Sequence, residues 1–210
     1  EYCSHVVNSL SATVVSATAG AAAPRKRPTQ RRSTETVERI LDVAARLFDE
    51  RGYRGTTTNH VAAEAGISIG SLYQYFPNKD ALLVALAERH LAASSAMFER
   101  ALAHLAAAAP SAEDVVRALV ALALEVNDSS QLHALLYTDA PRTPELIAQF
   151  EAMTSSIAAH VADHLQRTGC RGDVPERRAT LMVAAVDAAV HDIVLRYPPG
   201  TERVAALDDL

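Results

Sequence analysis

Residues 57–76, TTNHVAAEAGISIGSLYQYF, set two short apolar runs at helical spacing on either side of a glycine. Such a stretch folds as helix, tight turn, helix. Its centre, GISIG (residues 66–70), is also a literal GxSxG, the pattern that seats a nucleophilic serine on a sharp turn between a buried strand and a helix. The two foldings lead to different proteins, a DNA reader or an esterase, and the flanks decide between them. What precedes Gly66 is VAAEA, a helical sequence without the β-branched and aromatic density of a buried strand. Ser68, Asp187 and His191 follow one another in the chain order of an esterase triad, yet Asp187 and His191 stand one turn apart on a single expected helix, the spacing of an ordinary local pair.

Composition supports helix nearly everywhere. The 210 residues are crowded with Ala and Leu and contain six Tyr, four Phe and no Trp, and no segment reads as a convincing strand, so the expected fold is all-α. The length allows a small domain joined to a medium one. A net charge of -5 looks wrong for a nucleic-acid binder, but it is unevenly placed: residues 24–80 hold ten basic against seven acidic residues, and the remainder ten against eighteen. A weakly basic front and an acidic back are expected where only the front meets a polyanion. Cys3 and Cys170 make neither metal-ligand spacing nor a disulfide framework, which fits a reducing, cytoplasmic setting. The apolar run LMVAAV is stopped by Asp187, so no membrane span is expected.

Residues 1–32 read as a disordered leader, or a misplaced start, followed by a basic arm, PRKRPTQRR, suited to tracking phosphates or entering a minor groove. From Ser33 the pattern becomes regular. Val37, Ile40, Leu41, Ala44, Leu47 and Phe48 recur at three and four, and Gly52 suits a left-handed helix end. Thr56 or Thr57 caps a second helix that runs through Val61, Ala62 and Ala65, and Ser68 caps a third that reaches about Phe76. Further helices are expected over 79–109, over 112–127 behind a Ser111/Asp114 capping box, and over 131–137, 144–167 and 175–197. Another starts near 201.

On the helix-turn-helix reading each letter of GISIG has a task. Gly66 supplies a positive φ, Ile67 plugs the turn, and Ser68 caps the third helix with a hydroxyl that can face a phosphate. Leu72 and Phe76 face inward; Ile69, Ser71, Tyr73 and Gln74 face outward. Gly70 lets the backbone approach DNA, Gln74 can read an adenine edge, and Ile69 can touch a thymine methyl. For Tyr73 and Tyr75, core packing and DNA contact are both open.

Residues 35–90 resemble the DNA-binding domain of the TetR family of bacterial transcriptional regulators, through ILDVAARLFDERGYRGTT (residues 40–57) and VAAEAGISIGSLYQYFPNKDALL (residues 61–83). The resemblance implies an N-terminal three-helix DNA-binding domain over 33–80 and a helical effector-binding and dimerisation domain over 81–210. By position it places DNA contacts on Thr57, Ser68, Ile69, Gly70, Ser71, Tyr73, Gln74 and Tyr75, with Lys79 reaching a phosphate; Thr58 and His60 belong to the same candidate set. His60 departs from the acidic residue the family often has three after the capping threonine, and reads either as a weaker cap or as a backbone contact.

The function so implied is a ligand-responsive regulator, not an enzyme: a homodimeric repressor at a palindromic operator, released by a small-molecule effector, with no cofactor. The helix at 175–197 supports dimerisation independently. Leu181, Met182, Val183, Val186, Val190, Ile193 and Val194 leave it almost no polar face, so one side suits its own core and the other a partner, together with 201–210. The effector pocket is expected to draw on Met97, Phe98, His133, Tyr137, Phe150, Met153 and Met182, the bulky or polarizable groups of a domain short of them. The competing class is a small helical hydrolase or metalloprotein built on Ser68 or on the histidines. His160, Asp163 and His164 lack a further ligand, and no metal site is expected.

Overall fold

A computed structural model describes residues 31–108, 111–127, 131–167, 175–197 and 200–208, and every element among them is a helix. In chain order these are α1 (Arg31–Gly55), α2 (Thr58–Glu64), α3 (Ile69–Tyr75), α4 (Lys79–Ala108), α5 (Ala112–Asn127), α6 (Gln131–Asp139), α7 (Pro144–Arg167), α8 (Pro175–Arg196) and α9 (Thr201–Asp208). The leader and basic arm up to residue 30, Cys3, Cys170 and the side chain of His133 lie outside the described residues.

α1 forms because its apolar residues keep helical spacing, and Ile40, Leu41, Ala44, Leu47 and Phe48 are buried along one stripe. Gly52, at φ +69°, breaks it in the left-handed region expected of a helix end. The chain re-enters a short helical turn before Thr56. That residue is fully buried, and its hydroxyl donates to the carbonyl of Leu47 while lying at the same 3.0 Å from that of Gly52. Thr56 therefore serves the end of α1, leaving Thr57 to start α2. Two adjacent threonines thus split the two capping tasks that the sequence left open between them.

Two apolar clusters organise the molecule. The first joins α1, Val61, Ala62 and Ala65 of the α2 segment, Leu72 and Phe76 of the α3 segment, the beginning of α4 from Ala81 to Ala87, and Leu136 of α6. The second joins Phe98 and Leu102 of α4 with α5, α7 and α8. α4 thus belongs to both clusters. Its stretch Lys79–Leu105 is long and apolar enough to cross a membrane by length and composition, but the apolarity is used inside the protein, where Ala81 to Ala87 are all buried. α6 joins the first cluster: Asp49 of α1 accepts the backbone N–H of Leu132 at 3.1 Å, and Leu132 and Leu135 pack there. Ser111 and Asp114 form the expected capping box of α5.

α8 is two-faced. Ala179, Val183, Val190, His191 and Ile193 turn into its own subunit, whereas Leu181 and Leu195 remain 57% and 43% exposed, with Ala184 and Ala185 exposed on the turn between them. Val190 is 0% exposed and belongs to the protomer's core.

Candidate DNA-reading helix and ligand cavity

The α2–turn–α3 unit is held by three local devices. At the start of α2, Thr57 Oγ1 accepts from the His60 N–H at 3.2 Å, and His60 Nδ1 accepts from the Thr57 N–H at 3.4 Å, a reciprocal capping box with histidine in the place of the usual acid. At the end of α2, Gly66 (φ +66°) donates to Ala63 O and Ile67 donates to Ala62 O, the paired bonds of a Schellman turn, and Ile67 packs on the first cluster as a plug. At the start of α3, Ser68 Oγ accepts from the Ser71 N–H at 3.1 Å, and the two hydroxyls are 2.8 Å apart. Each cap is worth about 1 kcal/mol. Together they fix the angle at which α3 leaves the turn.

Ser68 is therefore a cap, and no strand precedes it among the described residues. Asp187 and His191, the partners an esterase would need, are paired with each other on α8.

Leu72 and Phe76 bury the inner face of α3, and Gly70, Tyr73 and Gln74 stand exposed on the outer one, with Ser71 half-buried between. An alanine Cβ at Gly70 would meet nothing nearer than Ser68 Oγ at 3.9 Å, so glycine is not demanded there by the protein's own packing. Two expectations change. Ile69, read as facing outward, packs partly buried on the first cluster, because it sits next to the capped turn rather than over the groove-facing side. Tyr75 also packs there and takes a hydrogen bond from Ser33 of α1 at 3.2 Å, so of the two tyrosines it is the packing one. Tyr73, 42% exposed, lies 3.2 Å from the Thr58 hydroxyl, which ties α3 to the first turn of α2.

Lys79 is engaged inside the protein. Its ammonium donates to the carbonyls of Tyr53 and Thr56 at 2.6 and 3.0 Å and sits 3.9 Å from the centre of the Tyr53 ring. The Tyr53 hydroxyl donates in turn to the Asp80 carboxylate, and burial together with that carboxylate pushes the phenol above its ordinary range. Lys79 thus ties the start of α4 to the loop between α1 and α2. A single side chain closes the three-helix unit on itself.

The second candidate site is a cavity of about 320 Å³ between α4, α5, α6, α7 and α8. Phe98, Tyr137, Phe150 and Met153 line it as expected. Met97 and Met182 do not; Met182 packs on the second cluster instead. The polar lining was missed: His90 and Ser94 of α4, Arg142 before α7, Glu151 and Thr154 of α7, and Asp187 and His191 of α8. The signal for the last two was present in the i, i+4 spacing, which reads as a surface pair until the fold buries it. His191 Nδ1 donates to the Asp187 carbonyl at 2.8 Å and lies 3.3 Å from its carboxylate, and the Tyr137 ring stacks on the imidazole at 4.1 Å. Burial lowers the affinity of His191 for a proton, but the Asp187 hydrogen bond and charge outweigh it, and the net shift is upward. His90 moves the other way, through burial and the neighbouring His191. His160, Asp163 and His164 are not brought together: Asp163 pairs with Arg167, His160 turns to the Ser156 carbonyl, and no metal-holding group occurs among the described residues.

Residues 40–86, which run from the buried stripe of α1 through the capped turn to the start of α4, match the family model described as bacterial regulatory proteins, tetR family. The matched segment is that of a TetR-family DNA-binding domain. The match spans GISIG, which stands there as the turn of a regulator's DNA-binding domain. Among curated relatives the chain is 28% identical over 178 residues to YhgD of Bacillus subtilis, an uncharacterized helix-turn-helix transcriptional regulator, covering 81% of this chain and 91% of that one. Over the first two curated relatives, also from B. subtilis, the match spans 21% and 34% of their length and is confined to short segments. Two solved structures share the fold: the regulator FadR of B. subtilis in complex with stearoyl-CoA (TM-score 0.60, 17% identity, 81% of this chain and 95% of that one) and a regulator of Saccharomonospora viridis in complex with choline (TM-score 0.60, 23% identity, 83% and 95%).

Proposed function

We propose that this chain is a ligand-responsive transcriptional regulator of the TetR family acting in the cytoplasm as a homodimeric repressor, bound to a palindromic operator and released when a small molecule enters the cavity. Residues 33–80 with the start of α4 form the DNA-binding unit, and the remainder forms the effector and dimerisation unit. The observation that carries the reading is the outer face of α3: Tyr73 and Gln74 project from a short helix that Ser68 caps at its start and that Leu72 and Phe76 anchor in the core. A recognition helix needs that rigidity, because base readout demands placement within a fraction of an ångström.

Within the unit, Gln74 reads a base edge, Gly70 and Ser71 lie along the groove, and Thr57, Thr58, Ser68 and Tyr73 meet phosphates. His60, Ile69, Tyr75 and Lys79 act through position, holding the helix that makes those contacts. Bound stearoyl-CoA and choline in two relatives of the same fold support the ligand role of the cavity. The exposed apolar stripe of α8, Leu181, Ala184, Ala185 and Leu195, supports dimerisation, since an isolated subunit leaves it to water.

A mobility-shift titration with the DNA upstream of this gene tests the reading. Saturable, salt-sensitive binding to one protected site of twofold symmetry is expected, with half-sites about one helical turn or a simple multiple apart. Failure to bind any segment of its own locus would remove the proposal and leave a helical protein that uses this fold for another purpose.

A further inference from the structure

Resting on the reading of the cavity as the effector site, we propose that it selects an uncharged, largely apolar ligand, and that the Asp187–His191 pair sets this selectivity by cancelling charge inside the cavity. The walls are built by aromatic and aliphatic groups such as Phe98, Phe150 and Ile157. The deep charged side chains meet each other: His191 Nδ1 is 3.3 Å from the Asp187 carboxylate, and the His191 side chain is only 10% exposed. Tyr137 stacks on the imidazole and covers one of its faces. A ligand carboxylate or ammonium placed here would either sit uncompensated among apolar groups or have to break an existing pair, and both are unfavourable by several kcal/mol. A ketone or ester loses far less on entering. Arg142 and Glu151, exposed members of the lining, carry one charge of each sign and add no net charge.

The pair is then a specificity determinant with a signature of its own. Removing His191 should unmask the Asp187 carboxylate and turn the cavity toward cations, whereas removing the Asp187 charge should leave a buried imidazole that sheds its proton, an uncharged cavity that favours neither ion.

The test uses the full chain and three probes with one ten-carbon tail, decan-2-one, decanoate and decylamine, with affinity measured by calorimetry at neutral pH for the wild type, His191→Gln and Asp187→Asn. The wild type should bind decan-2-one at least about tenfold more tightly than either ion. His191→Gln should gain roughly tenfold for decylamine, and Asp187→Asn should gain for neither ion. Should His191→Gln fail to fold by circular dichroism, His191→Asn removes the same charge and puts the same question. Tighter binding of an ion by the wild type, or a His191 variant that gains nothing for decylamine, would overturn the charge-cancelling role while leaving the cavity as the effector site. If none of the three probes bound, the role of the cavity itself would fall, and this inference with it.

Discussion

The Asp49 carboxylate of α1 accepts the Leu132 N–H of α6 at 3.1 Å, so a side chain of the DNA-binding unit caps a helix of the cavity wall. Four residues further along α6, Leu136 is buried in the first cluster and also lines the cavity, beside Tyr137. A ligand that shifts this turn of α6 must pull on α1. Replacing Asp49 with Ala should cost about 1 kcal/mol, the usual value of a lost cap. In hydrogen exchange the amides at the start of α6 should lose protection while those of α2 and α3 keep theirs. Unchanged exchange at Leu132 would mean that the two units are held elsewhere.

The histidine capping box is suboptimal and improvable. In His60→Glu, a carboxylate would accept the Thr57 N–H and meet the helix dipole, adding a few tenths of a kcal/mol to stability. The same charge would stand beside DNA phosphates. Denaturant melts should therefore move up while affinity for operator and random DNA alike moves down. A variant that gained in both would place His60 away from the DNA.

The two faces of α8 separate folding from association. Leu181→Asp changes an exposed residue and should give a folded protomer that is monomeric by light scattering and loses operator affinity. Val190→Asp places a charge at a fully buried position and should unfold the second cluster, by 3 kcal/mol or roughly that order. A Leu181→Asp protein that stayed dimeric would move the interface off this face.

Much of the fold was legible because helices announce themselves locally. The spacing of Ile40, Ala44, Leu47 and Phe48 and the signals at Gly52, Gly66 and Ser68 depend on residues a few positions apart, and the structure keeps all of them. Less legible was whatever depends on neighbours distant in the chain. Lys79 reads as a phosphate contact until the Tyr53 and Thr56 carbonyls are found beside it, 26 and 23 residues away. Ile69 reads as exposed until it is found packed on the first cluster. The cavity suffered most: its bulky members could be guessed, but Asp187 and His191 gain their meaning only when α4, α6 and α7 cover them.

Stability should respond to pH in opposite senses on the two sides of neutrality. His191 binds its proton more tightly folded than unfolded, so its contribution is fully present below the ordinary imidazole value of about 6.5 and is lost as pH rises through the higher folded value. His90 binds its proton less tightly when folded. Its environment therefore penalises acid, and stability falls as pH drops below about 6.5. The stability profile should peak near that value. Compared with the wild type, His191→Gln should flatten the alkaline limb and His90→Gln the acid limb; limbs unchanged in both variants would deny these groups the role.

The central claim is that α3 reads DNA with Gln74, and it is tested most directly by fluorescence anisotropy with wild type and Gln74→Ala on the footprinted operator and on a scrambled duplex of equal length, at several salt concentrations. Gln74→Ala should lose about 1 to 3 kcal/mol on the operator, lose little on the scrambled duplex, and keep the wild-type salt slope, since a base contact is removed and no phosphate contact. If Gln74→Ala discriminated operator from scrambled DNA as well as the wild type does, the face of α3 assigned to the groove would be wrong.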